Sequence, residues 1–243
     1  MRTTMTEKNG RPIIQGYFSA GLFLVTCLTL SSAFAENAWT PPLSGPAYVS
    51  DDSEESIKQR SGPGNAEAGR DKSQLCQGCH GEFGHSTDPM IPKLAGQFGN
   101  YIAKQVRNYQ AGTRTHQIMN AMAGTLSDED VADVAAYFAS QEKMKGDGSA
   151  ENQVGKDLFL HGRTSRMLFA CVNCHGVRGK GLGPRFAMFP VIGGQHKAYI
   201  RRQLLQFRIL DRTNSPNNIM NKITNQLTDE EIDALAEYVS VQP

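Results

Sequence analysis

The sequence predicts an all-α protein built as two tandem copies of one small helical domain. Three observations carry that expectation. Short blocks recur in the same order in both halves of the 243-residue chain. Between the blocks lie amphipathic stretches with helical spacing and N-capping signals, and no alternating strand pattern stands out. Each copy also opens with C-x-x-C-H: Cys76-Gln77-Gly78-Cys79-His80 in the first and Cys171-Val172-Asn173-Cys174-His175 in the second.

Residues 1–35 read as an export signal. Arg2, Lys8 and Arg11 are basic, Tyr17 to Leu30 is apolar, and Ala33-Phe34-Ala35 offers a cleavage site before Glu36. The competing reading is an uncleaved anchor, since the uncharged run approaches the ~20 residues of a membrane span. Residues 36–63 form an acidic, proline-containing linker with Asp51-Asp52-Ser53-Glu54-Glu55 at its centre. The first domain is expected over 64–143 and the second over 144–243, joined near Lys143–Gly148.

Within each domain the elements follow one another in parallel. Asn65 caps a short helix that runs into the first C-x-x-C-H motif. Tyr101, Ile102, Gln105, Val106 and Tyr109 share one face of a second helix ending near Gly112, and Tyr199-Ile200-Arg201-Arg202-Gln203 matches its start. Ser127 and Thr228 stand three residues before Asp130 and Glu231, the spacing of a capping box. The helices they open carry Val131, Val134, Ala135 and Phe138, and Ile232, Leu235 and Val239, as apolar stripes. Pro92-Lys93-Leu94-Ala95-Gly96-Gln97 matches Pro190-Val191-Ile192-Gly193-Gly194-Gln195, and Ile118-Met119-Asn120 matches Ile219-Met220-Asn221.

C-x-x-C-H sets two thiols one helical turn apart beside a histidine, which is the attachment signature of c-type haem. Both thiols can add to the vinyl groups of one porphyrin while the imidazole binds its iron. C-x-x-C alone also occurs in zinc knuckles and dithiol redox sites. Two copies, each opening its own repeat, favour two covalently bound haem c groups on Cys76, Cys79, Cys171 and Cys174, with His80 and His175 as iron ligands. The fifth cysteine, Cys27, lies in the apolar N-terminal run, so no disulfide is predicted.

The sixth iron position decides the chemistry. A methionine there gives a closed site of raised potential, whereas an open position suits catalysis. Met119 and Met220 occupy matching places, each seven residues before the leucine of its capping signal, and are the expected ligands. Met90 and Met188 also match and are the rivals. His85, His116, His161 and His196 have no counterpart in the other copy, so a second histidine ligand is not indicated.

With these motifs in place, residues 64–243 resemble the dihaem cytochrome c4 family, two class I cytochrome c domains in tandem. The resemblance implies short helices wrapped around each haem, with the first and last helices of each domain crossing. It implies that the carbonyls of Pro92 and Pro190 accept from the His80 and His175 rings, and that Met119 and Met220 are the distal ligands. It further implies haem propionates near the domain interface. The function implied is a periplasmic carrier of single electrons, taking them from a quinol-oxidising cytochrome bc-type complex and passing them to a haem–copper oxidase. A cytochrome subunit of a dehydrogenase and a dihaem peroxidase are the alternatives.

No acid–base pair or nucleophile constellation suggests an enzyme, and nothing suggests nucleic-acid binding. Residues 64–142 carry nine acidic and six basic side chains, and 146–243 carry nine and twelve. That polarity can orient a protein against a charged partner, although ordinary solvated faces would look the same. Arg178, Lys180 and Arg185, just after the second haem motif, are the cations expected to meet an acidic partner. The long acidic N-terminus and the basic insert Phe159–Phe169 depart from the family pattern.

Overall fold

A computed structural model describes residues 60–149 and 151–243. The proposed export segment, Cys27 and nearly all of the linker lie outside the described residues. The first repeat contains α1 (Ala66–Lys72), α2 (Gln74–His80), α3 (Gly99–Gln110), α4 (Gln117–Ala123) and α5 (Asp128–Ser140). The second contains α6 (Gln153–His161), α7 (Val172–His175), α8 (Lys197–Arg208), α9 (Ile219–Thr224) and α10 (Asp229–Ser240). The described residues form no strand, only an isolated bridge between Arg163 and Leu168. The fold is all-α, as the sequence leads one to expect.

Local chemistry explains the boundaries. Asn65 accepts from the amides of Glu67 and Ala68 and starts α1. Both capping boxes form, with Ser127 and Asp130 opening α5 and Thr228 and Glu231 opening α10. The single helix expected before the first motif is instead two. The Ser73 hydroxyl donates back to the Arg70 carbonyl at 2.9 Å, which competes with the helical ladder and turns the chain between α1 and α2.

In each domain the first helix crosses the last one at a glycine. A Cβ on Gly69 would lie 2.0 Å from the Asp133 carbonyl oxygen in α5, and one on Gly155 would lie 2.0 Å from that of Ala234 in α10. Backbone therefore packs on backbone, and the crossing pulls α5 and α10 over two separate apolar cores. One core gathers Ile102, Val106, Val131, Val134 and Phe138. The other gathers Leu158, Phe159, Ile200, Ile232, Leu235 and Val239.

The two domains meet across a pseudo-two-fold interface. Gln97 bonds both backbone groups of Val191, and Gln195 bonds both of Lys93, its repeat counterpart. Arg114 reaches Tyr199 and Gln203, while Arg212 reaches Tyr101 and Gln105. The symmetry breaks at one pair of positions. Phe98 is buried against Met144, Ala187 and Val191, whereas His196 at the matching place bonds the Ser86 carbonyl at 2.9 Å. The joining segment is part of this interface and not a free tether. Met144 is fully buried and donates to the Ala95 carbonyl, and Gly146 donates to that of Gln242.

Gly69→Ala and Gly155→Ala each force two helices apart. Each is expected to destabilise its own domain by about 1–3 kcal/mol, read as a lower denaturant midpoint. Equal stability of the variants and the parent would show that the crossings are looser than described.

Candidate functional site

His80 ends α2 and His175 ends α7, and both are 7% exposed. His80 Nδ1 lies 2.8 Å from the Pro92 carbonyl oxygen, and His175 Nδ1 lies 2.9 Å from that of Pro190. A carbonyl can only accept, so each Nδ1 carries the proton and each Nε2 keeps its lone pair free for a metal. Burial lowers the pKa of both rings, and the bond to the proline carbonyl only partly opposes it. The neutral, ligating form is therefore favoured. A charge on His116 would also lower His80.

The cysteines differ in exposure within a motif. Cys76 packs against the first core and Cys171 against the second, while Cys79 is exposed. No disulfide joins them. Burial raises the thiol of Cys76 and pushes that of Cys171 up to about 12. Dithiol redox sites need the opposite shift. Among the described residues no group of three His, Cys, Asp or Glu side chains converges as a zinc knuckle would require.

Met119 sits in the first turn of α4, half-buried, and packs against the same core as Cys76. Met220 sits at the matching place in α9, also half-buried. The rivals are more exposed, Met90 at 43% and Met188 at 52%. Two asparagines overlooked as functional residues hold the methionine-bearing helices. Asn120 donates to the carbonyls of Tyr109 and Arg114, and Asn221 to those of Phe207 and Arg212. Their signal was present in the sequence, since each follows its methionine in the repeat.

Arg114 and Arg212 were also missed, although Arg114-Thr115 and Arg212-Thr213 are a matched pair. Both guanidinium groups are buried and share the Gln105 and Gln203 side-chain oxygens, and neither meets a carboxylate among the described residues. Burial opposes the charge on Arg114, but Tyr199, Tyr109 and Tyr101 outweigh it and hold its pKa above the ordinary value. Two adjacent buried cations without an anion are costly. They fit a group that brings its own carboxylates, as haem does with its propionates. The thiol pairs and the free Nε2 atoms are donors suited to haem c.

One cation is corrected. Lys180, expected to face a partner, is buried, and its ammonium donates to the carbonyls of Met144, Gly193 and Gln242. Burial, with neighbouring lysines, pushes its pKa down to about 8. It ties the joining segment and the C-terminus to the second domain. Arg178 and Arg185 remain on the surface.

A family model for cytochrome c matches residues 66–142 and 155–242. Cytochrome c4 of Pseudomonas aeruginosa is 41% identical over 179 residues, covering 72% of this chain and 88% of that protein. The thiosulfate dehydrogenase electron acceptor of Stutzerimonas stutzeri is 36% identical over 171 residues, covering 68% of this chain and 78% of that protein. Among solved structures, reduced recombinant cytochrome c4 from Pseudomonas stutzeri is 38% identical with a TM-score of 0.69, covering 74% of this chain and 100% of that one.

Replacing Cys76 and Cys79 together by serine is expected to leave one covalent haem per chain in a pyridine haemochrome assay, against two in the parent. Replacing Cys171 and Cys174 should do the same. Two covalent haems in either double variant would contradict these attachment points.

Proposed function

We propose a periplasmic role on one premise: the chain belongs to the dihaem cytochrome c4 family. It is a c-type cytochrome with two covalently bound haems, an electron carrier and not an enzyme. Haem iron, when bound, supplies a one-electron Fe(II)/Fe(III) couple. The domains are residues 64–143 and 144–243. Cys76 and Cys79 hold one haem and Cys171 and Cys174 the other. His80 with Met119, and His175 with Met220, supply the axial ligands.

The observation that carries this reading is the pair of Nδ1-to-carbonyl bonds, which fix both rings with Nε2 open to a metal. A thioether as the second ligand raises the potential and leaves no coordination position for a substrate. No helix among the described residues is long and apolar enough to cross a membrane. The carrier works between a quinol-oxidising cytochrome bc-type donor and a haem–copper oxidase. Relatives named thiosulfate dehydrogenase electron acceptors support a second reading, in which a dehydrogenase is the donor.

The second domain offers the docking surface. Arg178 and Arg185 are exposed there, with Val177, Leu182, Phe186 and Met188 exposed between and beside them. Isolated charges among small apolar contacts suit brief electron-transfer encounters, in which charge sets the on-rate and weak packing permits release.

Met119→Ala and Met220→Ala should each open one haem to carbon monoxide and lower that haem's potential. A variant that stays indifferent to carbon monoxide would move the ligand role to another side chain. Arg178→Glu with Arg185→Glu should slow association with an acidic redox partner and flatten its salt dependence. Lys180→Gln should instead lower stability by about 2 kcal/mol without changing the salt dependence. If the arginine variant associates at the parent rate, this face is not the docking surface.

A further inference from the structure

The segments that fix the two histidines also form the domain interface, and they are bonded crosswise. The peptide between Pro92 and Lys93 uses its carbonyl to accept from His80 Nδ1 at 2.8 Å and its N–H to donate to Gln195 Oε1 at 2.9 Å. The peptide between Pro190 and Val191 accepts from His175 Nδ1 at 2.9 Å and donates to Gln97 Oε1 at 3.0 Å. Each glutamine is locked in place. Gln195 Nε2 donates to the Lys93 carbonyl at 2.9 Å and Gln97 Nε2 to that of Val191 at 2.7 Å. Each Oε1 also accepts from the amide that follows it, that of His196 or Phe98. Both side chains are 6% exposed, so water does not compete for these bonds.

We propose that Gln97 and Gln195 are positioning residues that set the reduction potential of the haem in the opposite domain. A peptide group is one conjugated unit. An acceptor on its N–H shifts electron density towards its oxygen, and hydrogen bonds in such a chain strengthen one another. The prolyl carbonyl then draws harder on the histidine Nδ1–H. The imidazole gains anionic character, becomes a stronger donor through Nε2 and favours the ferric state. Each glutamine therefore lowers the potential of the haem across the interface. Gln97, in the first domain, acts on the site of His175, and Gln195, in the second, acts on that of His80. The proposal rests on the reading of His80 and His175 as axial ligands.

The crossing supplies the test. The haem-loaded full chain carries Gln97→Leu or Gln195→Leu, and potentials are resolved haem by haem from the shifted haem-methyl resonances in NMR. Gln97→Leu should raise the second-domain haem by about twofold in its ferrous-to-ferric ratio, ~18 mV at 59 mV per tenfold, and leave the first nearly unchanged. Gln195→Leu should do the reverse. Gln97→Glu keeps an acceptor on the Val191 amide and should not raise the potential. If a leucine variant fails to fold, Gln97→Asn and Gln195→Asn, too short to span the gap, should give the same crossed pattern with more packing kept.

A shift of the haem in the variant's own domain overturns the proposal, as does an equal shift of both haems or a shift of neither. Failure of the ligand reading looks different: the parent protein itself would then lack the NMR signature of histidine-ligated iron at one site.

Discussion

Everything else in this molecule is arranged around the bond from a histidine Nδ1–H to a proline carbonyl, made once in each domain. It fixes the tautomer, holds the ring and leaves Nε2 as the only nitrogen able to bind a metal. The bond needs a carbonyl that does not move. In each domain the glycine at the helix crossing seats the last helix on the first, and that helix roofs the core beside the cysteine motif. The prolyl segment is held in turn by a glutamine from the other domain. A ring orientation inside one domain is therefore maintained by contacts made between domains.

The two halves share a frame but differ at their mutual interface and on the surface. The first domain has Phe98 at the interface position where the second has His196. The second carries the insert between α6 and α7, with Met167 and Phe169 exposed. Its Arg163 and Arg166 are paired with Asp157 and Glu231 and so add little free charge. The positive character available to a partner is narrower than composition suggests, and Arg178 and Arg185 near the second cysteine motif are part of it. Interface polarity shows the same economy. Among the described residues Arg114 and Arg212 are bound by neutral oxygens, so their charge would suit a carboxylate-bearing cofactor.

Much of this was legible in the sequence because the chain states it twice. Repetition exposed both capping boxes, whose chemistry is local and spans three residues. The break at Ser73 was not legible, since it turns on one hydroxyl bonding back to the Arg70 carbonyl. Lys180 was misread for a different reason. Arg178 and Leu182, two residues to either side, are exposed, but its three carbonyl acceptors come from residues 144, 193 and 242, and only the folded chain brings them together. Gln97 and Gln195 were visible as a repeat, yet nothing local says that each serves the other domain. Long-range pairing is where sequence pattern carries least.

An optical redox titration of the native, haem-loaded protein, followed by carbon monoxide, bears most directly on the picture of two closed histidine–methionine sites. Two low-spin haems titrating at positive potential, both indifferent to carbon monoxide, are the expected result. One haem that binds carbon monoxide, or that titrates at low potential, would contradict it.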